Sequence, residues 1–190
     1  FGVVPPTFHR DSKVSLDDKK SFIRETGKKV NLESESVEGS AQVFVEGSPV
    51  GSVWETGENL ITLYEKMDDQ AKFDVQKMAV FDYITGNTDR HQGNILVDKG
   101  HVYAIDNGLA FPDGGDLGQF RSIAMRTVQY YNGKVDSRII DQLKKVDRSL
   151  IKSSMSGQNL SKEADSLLQR LDNVINSGGD LSSDEFHPRR

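Results

Sequence analysis

Apolar residues recur at helical spacing in two long segments of the chain. In residues 69–85, one predicted face carries Phe73, Lys77, Val80, Phe81 and Ile84, with Met78 beside it. In residues 161–176 the recurring side chains are Leu167, Leu168, Leu171, Val174 and Ile175. Each segment is therefore predicted to be a helix with one buried face, and glycines follow both as stop signals. Shorter helices are predicted over 59–66, 119–131 and 137–146.

The other apolar runs are short and predict strands. Residues 95–97 and 102–105 flank the turn Asp98-Lys-Gly100, a pattern typical of a β-hairpin. A further strand is predicted over 41–45, followed by a turn at 46–49 and a second short strand or extended linker at 50–54. Val3 and Val4 suggest a short strand, and the polar stretch 8–40 is predicted to be mostly loop.

Composition and charge exclude several classes of protein. At about 150 residues per domain, 190 residues make one domain or one lobe of a larger one. The net charge of −5 argues against a nucleic-acid partner, because the phosphate backbone attracts a basic face. No apolar run is long enough for a transmembrane segment. The absence of cysteine excludes disulfides and thiolate metal sites.

The candidate chemistry is concentrated between residues 86 and 108. The loop Gly86-Asn-Thr-Asp-Arg-His-Gln-Gly-Asn94 precedes the predicted hairpin, and Ile105-Asp-Asn-Gly108 follows it. The hairpin is expected to bring Asp106 back beside Asn94, so that a carboxylate and an amide oxygen face one point. Two hard oxygen ligands suit Mg²⁺, which keeps waters and substrate phosphates as its other ligands. Asp89, five residues before Asn94, is placed to reach a substrate hydroxyl across that site.

These motifs resemble the phosphatidylinositol 3- and 4-kinase superfamily. The run from Gly86 to Leu96, followed by Ile105-Asp-Asn-Gly-Leu-Ala-Phe111, carries the resemblance. It is also similar to related atypical protein kinases such as actin–fragmin kinase, and compact bacterial and phage members look closest. The spacing from Asp to Asn is that of a kinase catalytic loop, and a second metal-binding Asp follows after a hairpin.

The resemblance implies a role for each matching residue. Asp89 would be the catalytic base, with His91 assisting as a proton shuttle or transition-state donor. Asn94 and Asp106 would bind Mg²⁺, the metal that accompanies the cofactor ATP. The adenine-binding hinge would be the backbone around Phe44 and Val45. Arg90 is expected to be structural and to pair with a carboxylate near the loop, and Asn87 to cap or bridge the loop. His9, His101 and His187 show no spacing that would make His91 part of a zinc site.

One part of the family pattern is missing from the sequence. We find no glycine-rich phosphate loop and no strand lysine before the hinge, and Lys13, Lys19, Lys20, Lys28 and Lys29 lie in polar, loop-like context. Either an N-terminal lobe lies outside this chain, in cis or on another chain, or the protein is a catalytically inactive pseudokinase. The abrupt opening at Phe1, without an initiator methionine, leads us to expect the former. The fragment alone is then expected to be inactive.

Together these observations predict an α+β, protein-kinase-like fold consisting of a mainly helical C-terminal lobe with a catalytic β-hairpin. Residues 1–48 would be the remnant of a truncated N-terminal lobe and the hinge, 49–179 the C-terminal lobe, and 180–190 a flexible tail. The predicted function is Mg²⁺-dependent transfer of the ATP γ-phosphoryl group to a hydroxyl. We favour a protein Ser or Thr over a phosphoinositide, because the chain lacks a basic patch for an anionic membrane; a small-molecule acceptor stays open. A cytoplasmic location is expected, and a secreted effector stays open.

Overall fold

The computed structural model describes residues 2–5, 7–13, 36–42, 44–50, 59–112, 117 and 120–186. Within these residues it contains five strands: β1 (Thr7–Lys13), β2 (Ser36–Gln42), β3 (Ser48–Pro49), β4 (Ile95–Asp98) and β5 (His101–Ala104). It also contains six α-helices: α1 (Leu60–Lys66), α2 (Asp69–Thr85), α3 (Ile123–Tyr131), α4 (Ser137–Leu143), α5 (Arg148–Ser156) and α6 (Ser161–Asn176). The chain divides into two compact units, one of Pro5–Phe44 and one of Phe1–Val4 with Val45–Arg190.

The described residues of the smaller unit include a two-stranded antiparallel ribbon. β1 pairs with β2 from Thr7 opposite Gln42 to Lys13 opposite Ser36. The prediction of a loop over 8–40 was therefore wrong at both of its ends, and the strand predicted over 41–45 ends at Gln42. Lys13 is the last residue of β1, so this lysine belongs to a strand before the hinge rather than to a loop.

Helix α2 lies at the centre of the larger unit and has the predicted bounds. The Asp68 side chain caps its start by accepting a hydrogen bond of 2.8 Å from the backbone of Ala71. Gly86 ends it in the left-handed conformation at φ 68°. A side chain at residue 86 would also place its Cβ only 2.9 Å from Cδ of Pro112. Both ends of the helix are thus determined by local side-chain chemistry.

The three-stranded antiparallel sheet has the order β3-β4-β5. The predicted hairpin is confirmed, with Ile95 opposite Ala104 and Asp98 opposite His101. β3 lies where a turn was predicted. Of the second strand or linker predicted over 50–54, only Val50 belongs to the described residues. Val3 is not in a strand, but it is buried and its carbonyl accepts a 2.7 Å hydrogen bond from Ala104.

Four helices follow the hairpin: α3 and α6 pack against α2, and α4 and α5 pack against α6. α6 has the predicted bounds, whereas α3 and α4 are shorter than predicted. α5 was not predicted, and none of its residues is buried. The flexible tail was predicted wrongly as far as residue 186, because Leu181 and Phe186 are fully buried. Residues 187–190 lie outside the described residues.

The hydrophobic core joins α2 to the hairpin and to the later helices. Its largest fully buried apolar side chains are Leu60, Met78, Ile95, Phe120, Met125, Ile139, Leu143, Leu171, Leu181 and Phe186. Phe81, expected in the core, is only half-buried and lines an apolar cavity of about 150 Å³ with Ile84, Leu143 and Leu171. No helix of the described residues is long and apolar enough to cross a membrane. The architecture is a small sheet with a larger helical layer, in agreement with the predicted class.

Candidate active site

The loop between α2 and β4 carries the first two predicted catalytic residues. The side chains of Asp89 and His91 are both more than half exposed, and His91 Nε2 lies 3.9 Å from Asp89 Oδ2. His91 Nδ1 accepts a 3.1 Å hydrogen bond from the backbone of Gly93. Any side chain at residue 93 would collide with the imidazole, since its Cβ would lie 2.9 Å from His91 Cε1. The glycine therefore allows the ring to fold back and face Asp89.

Asn94 ties the end of this loop to Asp89. It is buried, and its Nδ2 donates a 3.1 Å hydrogen bond to the backbone carbonyl of Asp89. The amide nitrogen of Asn94 is thereby engaged, and the amide oxygen remains available as an acceptor or metal ligand. Asp89 and Asn94, which lie five residues apart in the sequence, are therefore in direct contact.

The hairpin brings Asp106 next to Asn94, as predicted. The backbone N–H of Ile105 donates a 3.0 Å hydrogen bond to the carbonyl of Asn94. Asp106 itself is exposed and has φ 50°, a left-handed conformation that is uncommon outside glycine. Such strain is found preferentially at functional sites. The Asp106 carboxylate accepts only one long hydrogen bond, 3.4 Å from the backbone of Gly108, among the described contacts.

The oxygens of Asn94 and Asp106 fit a hard divalent cation. One amide oxygen and one largely unengaged carboxylate match the few protein ligands that Mg²⁺ takes beside substrate phosphates. Among the described residues no three His, Cys, Asp or Glu side chains form a cluster that could hold a metal ion.

A buried carboxylate, Asp82 on α2, holds the loop in place. Arg90 donates from Nε to both of its oxygens, at 3.2 and 3.3 Å, and both side chains are fully buried. Ser122 Oγ and Asn87 Nδ2 donate to the same carboxylate, at 2.7 and 3.3 Å. Burial raises the pKa of Asp82, and Arg90, Ser122 and Asn87 oppose that rise by favouring the ionised form. The predictions of structural roles for Arg90 and Asn87 are confirmed.

Arg90 also joins the loop to the segments that follow it. Its guanidinium donates to the carbonyls of Asn94 and Ile105 and to the side chain of Asn107. Its own backbone pairs with the strand-like residues before α3, through Arg90 N to Arg121 O at 3.1 Å and Ile123 N to Arg90 O at 2.9 Å. One buried side chain therefore fixes the positions of both predicted metal ligands.

A cavity of about 650 Å³ opens beside the predicted catalytic base. Its polar lining includes Asp89, His91, Gln92, Arg121 and Arg126. Sequence reasoning missed the two arginines, because no motif marks them and only the backbone pairing with Arg90 brings residue 121 to the loop. Asp82 was also missed, since the sequence analysis expected Arg90 to pair with a carboxylate near the loop without identifying which one.

The predicted hinge residues are placed differently from the others. Phe44 belongs to the smaller unit and its side chain is 85% exposed. Val45 belongs to the larger unit, where its carbonyl accepts a 2.9 Å hydrogen bond from Gly47 just before β3. β3 pairs with β4, the strand that directly follows Asn94. Thus the structure brings Asp89, His91, Asn94 and the backbone beside Asp106 together on one loop and hairpin, and Val45 lies just before β3 in the same unit.

The order of an acidic residue in a loop after a buried helix, an asparagine five positions later and a second aspartate after a hairpin is the pattern of a kinase catalytic loop. Residues 2–154 match the family model of phosphatidylinositol 3- and 4-kinases, and the chain belongs to this family. It is similar to phosphatidylinositol 4-kinase type 2-alpha of Danio rerio, with 32% identity over 95 residues. That alignment covers 39% of this chain and 21% of the zebrafish protein, so the chain matches about a fifth of its relative's length.

Proposed function

We propose that this chain carries the catalytic lobe of an enzyme that transfers the γ-phosphoryl group of ATP to a hydroxyl. The observation that carries the proposal is the closed set of contacts from Asp89 through Asn94 to the residue before Asp106. These contacts support the proposal because they hold Asp89, Asn94 and the residue before Asp106 together on one loop and hairpin. Catalysis of phosphoryl transfer depends mainly on such positioning and on charge stabilisation.

Each residue has a defined task in this proposal. Asn94 and Asp106 would hold Mg²⁺, which supplies neutralisation of the phosphate charge. Asp89 orients the acceptor hydroxyl and takes its proton from a position open to the cavity. His91, 3.9 Å from Asp89, restrains that carboxylate and can pass the proton on to solvent. The backbone at Phe44 and Val45 is proposed as the hinge that binds adenine.

We propose a protein hydroxyl, on Ser or Thr, as the acceptor. The net charge of −5 would oppose docking on an anionic bilayer, where each Lys or Arg near the surface is worth about 1 kcal/mol. The zebrafish relative is named for phosphatidylinositol, which makes a lipid the second candidate acceptor. We place the activity in the cytoplasm, and a lobe that supplies a cation for the ATP phosphates is proposed to act with this chain in cis or from another chain.

The second candidate function is that of a pseudokinase that binds a partner without transferring phosphate. The exposed Leu109 and Phe111, directly after the Asp106 segment, favour a protein contact there. Phe111 N donates a 2.7 Å hydrogen bond to Thr85 O, so this segment is held against the end of α2. A binding module would keep that contact surface without needing the carboxylate of Asp106.

The test is transfer of labelled γ-phosphoryl from ATP to a serine peptide, with the chain supplied with an N-terminal kinase lobe in cis. Asp106→Asn is expected to abolish transfer, because a cation held by one or two protein groups cannot lose one. The matched control is Asp98→Asn, which changes a carboxylate of the same hairpin at the far end of β4. Equal transfer by both variants would show that Asp106 is not a required metal ligand, and no transfer by the unaltered protein would favour the pseudokinase.

A further inference from the structure

The cavity beside Asp89 has an unusual charge for so acidic a chain. Among the described residues that line it, Asp89 is the only carboxylate and three are arginines. Arg90 forms a buried ion pair with Asp82, whereas the side chains of Arg121 and Arg126 are exposed to solvent. Within the described part of the chain, neither of these two guanidinium groups has an ion-pair partner. The acceptor side of the site therefore presents two available positive charges.

Both arginines are carried by backbone that is tied to the catalytic loop. The carbonyl of Arg121 accepts a 3.1 Å hydrogen bond from the backbone of Arg90, and Arg126 N donates to Ser122 O at 3.1 Å in the first turn of α3. Ser122 caps that helix through Met125 N and also donates to the buried Asp82. Their Cα positions are thus fixed relative to Asp89, as a specificity site requires.

Guanidinium groups are suited to carboxylates and phosphates, which they bind through paired, charge-assisted hydrogen bonds. The amino-terminal end of α3, which opens at Ser122 and Ile123 into the same cavity, adds partial positive charge. Resting on the proposed function, we propose that Arg121 and Arg126 select an acceptor Ser or Thr that has acidic side chains next to it. The acceptor class is then an acidic peptide segment.

A peptide fits these observations better than a membrane surface. The two charges lie in the wall of a concave site, which a single side chain can enter, rather than on a flat basic face. The rest of the chain contributes a net negative charge, which opposes an anionic bilayer. An acidic peptide needs only local complementarity, and this is strongest at short range because salt screens charges beyond about 10 Å.

Fluorescence anisotropy of a labelled peptide tests the proposal directly. The probe has one central serine flanked by glutamates, and its matched control has glutamines in their place. The full chain is expected to bind the glutamate peptide about three- to tenfold more tightly than the glutamine peptide, because two exposed ion pairs, each weak by itself, act together. Arg121→Gln combined with Arg126→Gln is expected to remove this preference, and Arg148→Gln, an exposed arginine on α5, to retain it.

The outcomes separate this inference from the proposed function. Equal affinity for both peptides, or a preference that survives the double substitution, would overturn the inference whether or not phosphate is transferred. Arginine-dependent binding without transfer in the lobe-completed enzyme would uphold the inference and contradict the proposed function. Arginine-dependent binding of phosphatidylinositol vesicles, with no binding of the glutamate peptide, would also overturn it, in favour of a lipid acceptor. Unchanged thermal midpoints in the variants serve as the folding control.

Discussion

The buried pair of Asp82 and Arg90 makes the strongest prediction about stability. Both side chains are fully buried, and Arg90 joins α2 to the backbone on either side of the predicted metal site. Asp82→Ala would leave an uncompensated guanidinium inside the lobe. Removing one partner of a buried pair costs about 3–5 kcal/mol, a large part of the roughly 5–15 kcal/mol that stabilises a typical domain.

Thermal and urea denaturation of the 190-residue chain measure this cost. For a chain of this size, about 1 kcal/mol corresponds to a shift of about 2–4 °C in the midpoint, so Asp82→Ala is expected to lower it by roughly 6–20 °C. The control is Lys152→Ala, which breaks an exposed pair with Asp165 at 3.0 Å and is expected to cost no more than about 1 kcal/mol. An equal, small effect of both substitutions would refute the reasoning that Asp82 holds the catalytic loop.

Three further predictions concern the core, a helix cap and the catalytic base. Leu171→Ala, at a side chain 1% exposed, is expected to cost about 2–5 kcal/mol in urea unfolding, whereas Leu150→Ala, 62% exposed, should change it by less than about 0.5 kcal/mol. Asp147 caps the start of α5, and hydrogen bonds from the Ser149 hydroxyl and the Leu150 backbone lower its pKa. Its contribution to stability is therefore present above the ordinary Asp pKa and is lost as pH falls through the lowered value. Asp147→Asn should reduce this acid-induced loss, measured by urea unfolding at a series of pH values. In the chain completed with an N-terminal kinase lobe, Asp89→Asn should lower the turnover of phosphoryl transfer with little change in ATP affinity. If the variant kept the turnover of the unaltered protein, Asp89 would not be the base.

Local signals account for the elements that the sequence predicted correctly. α6 has strong helical spacing of apolar residues. The single buried face predicted for α2 was wrong, because most of its residues are buried, and this helix is marked instead by its side-chain cap at Asp68 and its glycine stop. The hairpin has two apolar runs and a short turn containing Gly100, which adopts φ 81°. These signals lie within one element each, so a single sequence contains them completely.

The missed elements depend on contacts between distant residues. None of the residues of α5 is fully buried, and its apolar face is short, with Ile151 and Met155 packed against the core as half-buried side chains. β1 and β2 are polar strands paired across more than twenty residues, and nothing local marks their register. Phe186 was predicted to lie in the flexible tail, but its ring packs against the ring of Tyr83 with the two centroids 5.0 Å apart. Only the folded chain brings those two rings together.

The contrast between local signals and distant contacts also explains which residues of the site could be predicted from the sequence. Asp89, Asn94 and Asp106 were found because a loop and a hairpin connect them within eighteen residues, and a family resemblance assigned their roles. Arg121 reaches the loop through a parallel bridge between Arg90 and Ser122, which the sequence does not reveal. The residues proposed to act on phosphate were therefore predictable, whereas those proposed to select the acceptor became visible only in the fold.

The central claim, that Asn94 and Asp106 together hold a metal-bound nucleotide, is tested most directly by calorimetric titration of ATP into the 190-residue chain with and without Mg²⁺. We expect Mg²⁺ to strengthen ATP binding to the unaltered chain and to the Asp98→Asn variant. This gain in affinity should disappear in Asn94→Ala and Asp106→Asn, although both variants remain folded. The same Mg²⁺-dependent gain in all four proteins, or no nucleotide binding by the unaltered chain at any Mg²⁺ concentration, would contradict it.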